Sequence, residues 1–136
     1  MYDDYVVIVP VGEDFILTQR QYKPGAKKVC NGFPAGFIKK DEQPLSAAKR
    51  ELMEETGYEA AKWITLGTFY DNVSVSAAKF TIFLAEGLTL SGIHANPDKS
   101  ESAIENIKVT KNSLLAVEME GACMALAKKL SLHPTQ

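Results

Sequence analysis

Apolar and polar positions recur along this chain at two different periods, and the periods divide it into elements. "YVVIVPV" (Tyr5–Val11) and "FILTQRQY" (residues 15–22) are rich in β-branched and aromatic residues and read as strands. Gly12, Glu13 and Asp14 between them predict a hairpin-type loop. Residues 23–28, with Pro24 and Gly25, predict another loop. "CNGFPAGFI" is broken by Gly32, Pro34 and Gly36, so it holds only short extended pieces. The period then changes. In "PLSAAKRELMEETG", Leu45, Ala48 and Leu52 repeat at helical spacing and predict one apolar stripe. Pro44 suits the first turn and Gly57 a C-terminal cap.

Beyond the helix, residues 61–70 and Lys79–Leu90 again read as strands. Residues 91–102 are polar and predict a loop, and "IENIKVT" (residues 104–110) alternates like a half-buried strand. Residues 113–130 predict a closing amphipathic helix, capped by Asn112 or Ser113. The expected order is β, β, short β, α, β, β, β, α. That order predicts an α/β/α sandwich around a mixed β-sheet.

The predicted central helix carries an unusual charge pattern. At 100° per residue, Glu51, Glu54 and Glu55 fall within an arc of about 100° beside the apolar stripe. Glu51 and Glu55 are like charges at i,i+4, which costs a few tenths of a kcal/mol. Glu54 and Glu55 also stand in the last turn, where the helix dipole disfavours carboxylates by roughly 0.3–1 kcal/mol each. A helix chosen for stability alone would place Lys or Arg there. One resolution is a solvated acidic face eased by Lys49 and Arg50. The other is a divalent cation, since hard oxygen ligands on a rigid element suit Mg²⁺ or Mn²⁺ and substrate phosphates.

Composition narrows the remaining choices. The 136 residues fit one domain, taken here as 1–136, with room for a sizeable core. A net charge of −2 gives no basic footprint, so bulk nucleic-acid binding is not expected. No apolar run reaches the length of a membrane span, and acids precede the first apolar run, so no signal peptide and no membrane partner are expected. Cys30 and Cys123 lack metal-type spacing and read as reduced thiols, which predicts a cytoplasmic protein. Neither His94 nor His133 has a metal-ligand partner nearby in sequence.

Residues 36–58 read "GFIKKDEQPLSAAKRELMEETGY". Gly36, Glu42, Arg50, Glu51, Leu52, Glu54, Glu55 and Gly57 stand at the spacing of the Nudix box, so the segment resembles the signature of Nudix hydrolases. Tyr58 takes a last position where an aliphatic residue is more usual. The resemblance implies the α/β/α sandwich, with the box as loop-helix-loop. It also implies hydrolysis of a nucleoside diphosphate linked to another group. By position, Glu51, Glu54 and Glu55 would be catalytic metal ligands, assisted by the carbonyl of Gly36, with Mg²⁺ or Mn²⁺ as cofactor. Glu42 and Arg50 would hold the loop and helix together.

Two flanking pieces resemble the ADP-ribose and nucleotide-sugar pyrophosphatase branch. "RQYK" (residues 20–23) is similar to that branch's Arg-Gln-Tyr-Arg, and "FPAG" (residues 33–36) to its Leu-Pro-Ala-Gly. "ENIKV", followed by a predicted helix containing Gly121, is similar too. Three features depart from the branch: Gly32 in place of a Glu, no Pro in "DNVSVS", and a first core strand expected almost at the start of the sequence, where the branch commonly has an extra region. The implied substrate is ADP-ribose or a nucleotide sugar. A nucleoside triphosphate or dinucleoside polyphosphate is the alternative, and a non-catalytic nucleotide-sensing module is the alternative from another class. The resemblance leaves a homodimer open.

Arg20 is a candidate for holding phosphate as a bidentate pair, with a surface ion pair as its alternative. Tyr22, Phe33 and Phe37 are the chief candidates for stacking a base or sugar, beside Phe69 and Tyr70, and core packing is the alternative for each. Glu101, in the acidic loop, is expected to activate the attacking water or bind a metal, with Glu105 as competitor.

Overall fold

A computed structural model describes residues 3–91 and 105–110. The described elements are β1 (Tyr5–Val11), β2 (Ile16–Lys23), β3 (Lys28–Gly32), β4 (Ala35–Phe37), α1 (Pro44–Thr56), β5 (Tyr58–Tyr70), β6 (Lys79–Leu90) and β7 (Glu105–Val109). The closing helix expected over residues 113–130 lies outside the described residues.

Strand β1 is the axis of the sheet. Val6 to Val11 are all buried, so this strand is covered on both faces. It pairs in parallel with β6 along its whole length, from Tyr5↔Phe80 to Val11↔Glu86. The other described pairings are antiparallel, so the sheet is mixed. Its order is β3-β2-β1-β6-β5, with β4 paired to the start of β1 and β7 paired to β2.

Alternation along β1 divides the core. Val7, Val9 and Val11 join Ile16, Phe33, Phe80, Ile82 and Leu84 on one face. Val6 and Ile8 join Ala47, Ala48, Leu52, Phe83 and Ala85 on the other. Helix α1 therefore packs on the even-numbered face of β1 through two alanines and a leucine. Small side chains there let its axis come close to the sheet.

Three details differ from the sequence reading. The loop expected over residues 23–28 shrinks to a turn, in which Lys27 donates its N–H to the Lys23 carbonyl, so β2 runs to Lys23 and β3 starts at Lys28; β3 and β4 are the short extended pieces expected after it. Strand β5 begins at Tyr58, directly after the helix cap. The apolar stripe of α1 is also rotated. Leu45 is 38% exposed, while the buried positions are Ala47, Ala48, Glu51, Leu52, Glu55 and Thr56. Two of the acids therefore lie on the core side of the helix and not beside it.

The end of α1 is built from long-range partners. Gly57 adopts the left-handed conformation (φ 77°) and its N–H bonds the Met53 carbonyl. Thr56 Oγ1 donates to the Leu52 carbonyl at 2.6 Å. The Gly57 carbonyl accepts from both the N–H and the hydroxyl of Ser91, at the end of β6. Gly57→Ala is expected to cost about 1 kcal/mol, because an L side chain is strained at that φ. Urea unfolding should show a lower midpoint with an unchanged slope.

Candidate active site

Two neighbouring structures meet at the N-terminal half of the box. Strand β4 runs antiparallel to the start of β1, with Gly36 opposite Val6. Helix α1 crosses above it and presses the Glu51 carboxyl group against the Gly36 Cα. A Cβ at Gly36 would overlap that carboxylate directly, so only glycine permits the approach. Glu51 is 1% exposed, and Glu55, one turn on, is 8% exposed. A carboxylate so deeply covered requires a charged or hydrogen-bonding partner.

Arg50 is one such partner, and it serves several acids at once. Its Nε and Nη2 donate to the two oxygens of Glu42 at 2.8 and 2.9 Å, a bidentate pair. Nη2 also donates to the Phe37 carbonyl at 3.1 Å. Nη1 donates to Glu51 Oε1 at 3.1 Å and reaches Glu54 Oε1 at 3.5 Å. One planar group thereby joins the loop after β4 to the middle of α1. The Arg50 hydrogen bond, followed by that from the Lys39 N–H, lowers the Glu42 pKa from 4.5 to about 2. The Glu42 bond in turn raises the Arg50 pKa, with the charges of Glu51, Glu42 and Glu54 adding to it.

A second polar group of residues surrounds Glu55. It lines a cavity of about 210 Å³ together with Gln19, Gln21, Lys23, Gly32, Phe33 and Ala35. Lys23 Nζ donates to Gln21 Oε1 at 3.1 Å. On β2 the side chains alternate, so Arg20 and Tyr22 face the other side of the sheet from Gln19, Gln21 and Lys23. Of "RQYK", the structure brings Gln21 and Lys23 to Glu55, and not Arg20 and Tyr22. Tyr22 is 55% exposed, and Arg20 is also exposed. Phe33 is 6% exposed and belongs to the core cluster, so one edge at most reaches the cavity. Phe37 is 65% exposed and lines a more apolar hollow of about 400 Å³ with Tyr5, Ala35 and Gly36.

Glu101 lies outside the described residues. Glu105 is exposed at the start of β7, in register with Arg20. Gln19 and Asn106 are site neighbours that the sequence reading passed over. Asn106 Nδ2 donates to the Glu55 carbonyl at 3.2 Å, and Gln19 Nε2 donates to Asn106 Oδ1 at 3.1 Å. The available signal was strand alternation: Gln19 shares a face with Gln21 and Lys23.

Carboxylate oxygens are the donor type that a hard divalent cation takes. Arg50 Nη1 already touches oxygens of both Glu51 and Glu54, so two carboxylates reach one positive group. Among the described residues, no three acidic, His or Cys side chains converge into a complete cage. Mg²⁺ needs none, because it commonly keeps several waters and takes substrate phosphate oxygens.

Comparison with known proteins agrees with this architecture. The NUDIX domain family model matches residues 1–121, and the chain belongs to that family. It is 31% identical over 109 residues to a Bacillus subtilis protein named ADP-ribose pyrophosphatase, covering 80% of this chain and 58% of that protein. It is 30% identical over 123 residues to a mouse ADP-sugar pyrophosphatase, covering 82% of this chain and 55% of the relative. The chain thus spans little more than half the length of these relatives. A crystal structure of an ADP compounds hydrolase superposes with a TM-score of 0.78 at 24% identity, covering 93% of this chain and 71% of the other. That likeness establishes the shared α/β fold.

Two outcomes are expected from the Arg50 cluster. Arg50→Lys should lower stability by about 2 kcal/mol in urea unfolding, because an ammonium cannot reproduce the fork and Glu51 keeps its buried charge. Arg50 is 21% exposed, which holds the loss below that of a fully buried pair. The Glu42 contribution depends on pH in a defined direction. Its folded pKa of about 2 lies below the ordinary 4.5, so the stabilisation is complete above pH 4.5 and is lost as pH falls toward 2. The stability gap between wild type and Glu42→Gln should close across that window in acid titrations of unfolding. A gap independent of pH would exclude the ion pair as its source.

Proposed function

We propose that this protein is a Mg²⁺- or Mn²⁺-dependent hydrolase of a nucleoside diphosphate linked to another group, with ADP-ribose or an ADP-sugar as substrate. The observation that carries the reading is the pair of carboxylates, Glu51 and Glu55, held on the core side of α1 with Glu54 beside them. Burial opposes Glu51 and Glu55, and the helix dipole opposes Glu54 and Glu55 in the last turn, a cost that a bound divalent cation would offset. The two pyrophosphatase relatives support the substrate class.

Glu51, Glu54 and Glu55 would hold the metal, with the Gly36 carbonyl as a further oxygen. A bound divalent cation neutralises pyrophosphate charge and lowers the pKa of water. The chain's own groups do the rest. Arg50 and Glu42 fix the carboxylates before substrate arrives, which limits reorganisation during the reaction. Lys23 and Gln21, across the cavity from Glu55, offer donors to a phosphate oxygen. Tyr5 and Phe37 offer ring faces to a base in the adjoining hollow. Water attacks one phosphorus, the P–O–P bond breaks, and each phosphate leaves on its own fragment. Glu101 is the proposed acceptor of the water proton. The reading makes the whole chain, residues 1–136, one catalytic domain in the cytoplasm, acting on small molecules and leaving a homodimer open.

ADP-ribose incubated with the protein and Mg²⁺ should yield AMP and ribose 5-phosphate, with higher kcat/KM than any nucleoside triphosphate. Glu55→Gln should fold normally and lose at least roughly two orders of magnitude in kcat. Turnover highest for a triphosphate would replace the substrate assignment. An active Glu55→Gln would remove Glu55 from the site.

A further inference from the structure

Helix α1 ends in an electrostatic difficulty that its own sequence leaves unsolved. Its last turn contains Glu54 and Glu55 and no basic residue. The last carbonyls of a helix lack intrahelical partners and carry partial negative charge. The Glu55 carbonyl is one of them. It accepts a hydrogen bond from the amide of Asn106, which stands 51 residues further along the chain.

The geometry around Asn106 is specific. On β7, Asn106 lies directly opposite Gln19 of β2. Gln19 is 8% exposed, and its amide donates to Asn106 Oδ1. With the oxygen thus engaged, the Asn106 nitrogen is directed to the Glu55 carbonyl. Thr18 Oγ1 donates to the Ile107 carbonyl, which ties the same stretch of β7 to β2. The end of α1 is therefore fastened to the sheet through a relay from Gln19 to Asn106 to the Glu55 carbonyl.

We infer that Asn106, oriented by Gln19, is a positioning residue that clamps the last turn of α1 and thereby sets where the Glu54 and Glu55 carboxylates stand. Its bearing on metal binding rests on the metal-ligand reading proposed above, whereas the clamp itself does not. Asn106 bonds the backbone of Glu55 and leaves the carboxylate to other partners. A neighbour of this kind acts through the ligand's position, and losing such support typically weakens metal binding about 10–100-fold.

Three variants separate the possibilities. Asn106→Leu removes both hydrogen bonds. Asn106→Asp preserves size and the oxygen facing Gln19, but offers the Glu55 carbonyl no donor. Gln19→Leu leaves the donor and removes the group that aims it. Amide hydrogen exchange is measured on metal-free protein, and Mn²⁺ binding without substrate is measured by EPR. In Asn106→Leu and Asn106→Asp, exchange in residues 53–57 should rise roughly tenfold while residues 47–50 stay unchanged, as for local opening of one turn. The Mn²⁺ Kd should rise about tenfold in both. Gln19→Leu should show the same pattern at lower amplitude. Rescue by Asn106→Asp would mean a packing role and overturn the inference. So would exchange raised uniformly along α1, or a Mn²⁺ Kd within twofold of wild type. The exchange measurement needs no metal. A wild type that fails to bind Mn²⁺ would refute the metal reading, and exchange alone would then decide the clamp.

Discussion

The Arg50 guanidinium is the contact on which the candidate site depends. Without a cation there, a helix could not turn Glu51 toward the core, because burying an unpaired carboxylate costs several kcal/mol. With it, the charge is shared among Glu42, Glu51 and Glu54. Its fixed fork also fixes geometry: two donors face Glu42 in the loop, and a third nitrogen faces the helix acids. The loop after β4 and the middle of α1 consequently cannot shift independently. Gly36 completes the constraint from below, since the absence of a Cβ lets the Glu51 carboxyl group rest on β4. The Arg50 charge and the missing Cβ of Gly36 thus add to the apolar packing of Ala47, Ala48 and Leu52 on β1.

That constraint explains which parts of the site were readable in the sequence. The box residues act locally: 36, 42, 50, 51, 54 and 55 all lie within 20 positions, so their spacing alone encodes who meets whom. The strands were readable for a similar reason. A run such as "YVVIVPV" has few alternatives to a strand buried on both faces. The rotation of α1 was less accessible. Leu45 repeats at helical spacing with Ala48 and Leu52, yet it stands in the first turn of α1 and is 38% exposed. The core instead took Ala47 and let Glu51 face inward, an arrangement a hydrophobicity pattern reads as improbable.

Long-range geometry was hidden for a different reason. "RQYK" matches as a string, but a strand sends its residues to opposite faces. Only pairing with β3 and β7 fixes which face meets α1. Gln21 and Lys23 fell toward Glu55, and Arg20 and Tyr22 fell away. Asn106 was invisible in the same sense. Nothing near it in sequence points to the Glu55 carbonyl, and their meeting is a consequence of sheet topology alone.

The same topology resolves the charge problem at the end of α1. A basic side chain would satisfy the final carbonyls and the helix dipole together. It would also add a second cation beside Glu54, which Arg50 already reaches at 3.5 Å. The chain uses neutral donors in its place: the Ser91 hydroxyl and N–H on the Gly57 carbonyl, and the Asn106 amide on the Glu55 carbonyl. Neutral donors satisfy backbone oxygens without cancelling carboxylate charge. Positive charge from the side chains comes from Arg50, which also anchors the loop, and from Lys23 in the cavity beside Glu55. The backbone at the end of the helix is thus held by groups that leave the charge of Glu54 and Glu55 in place.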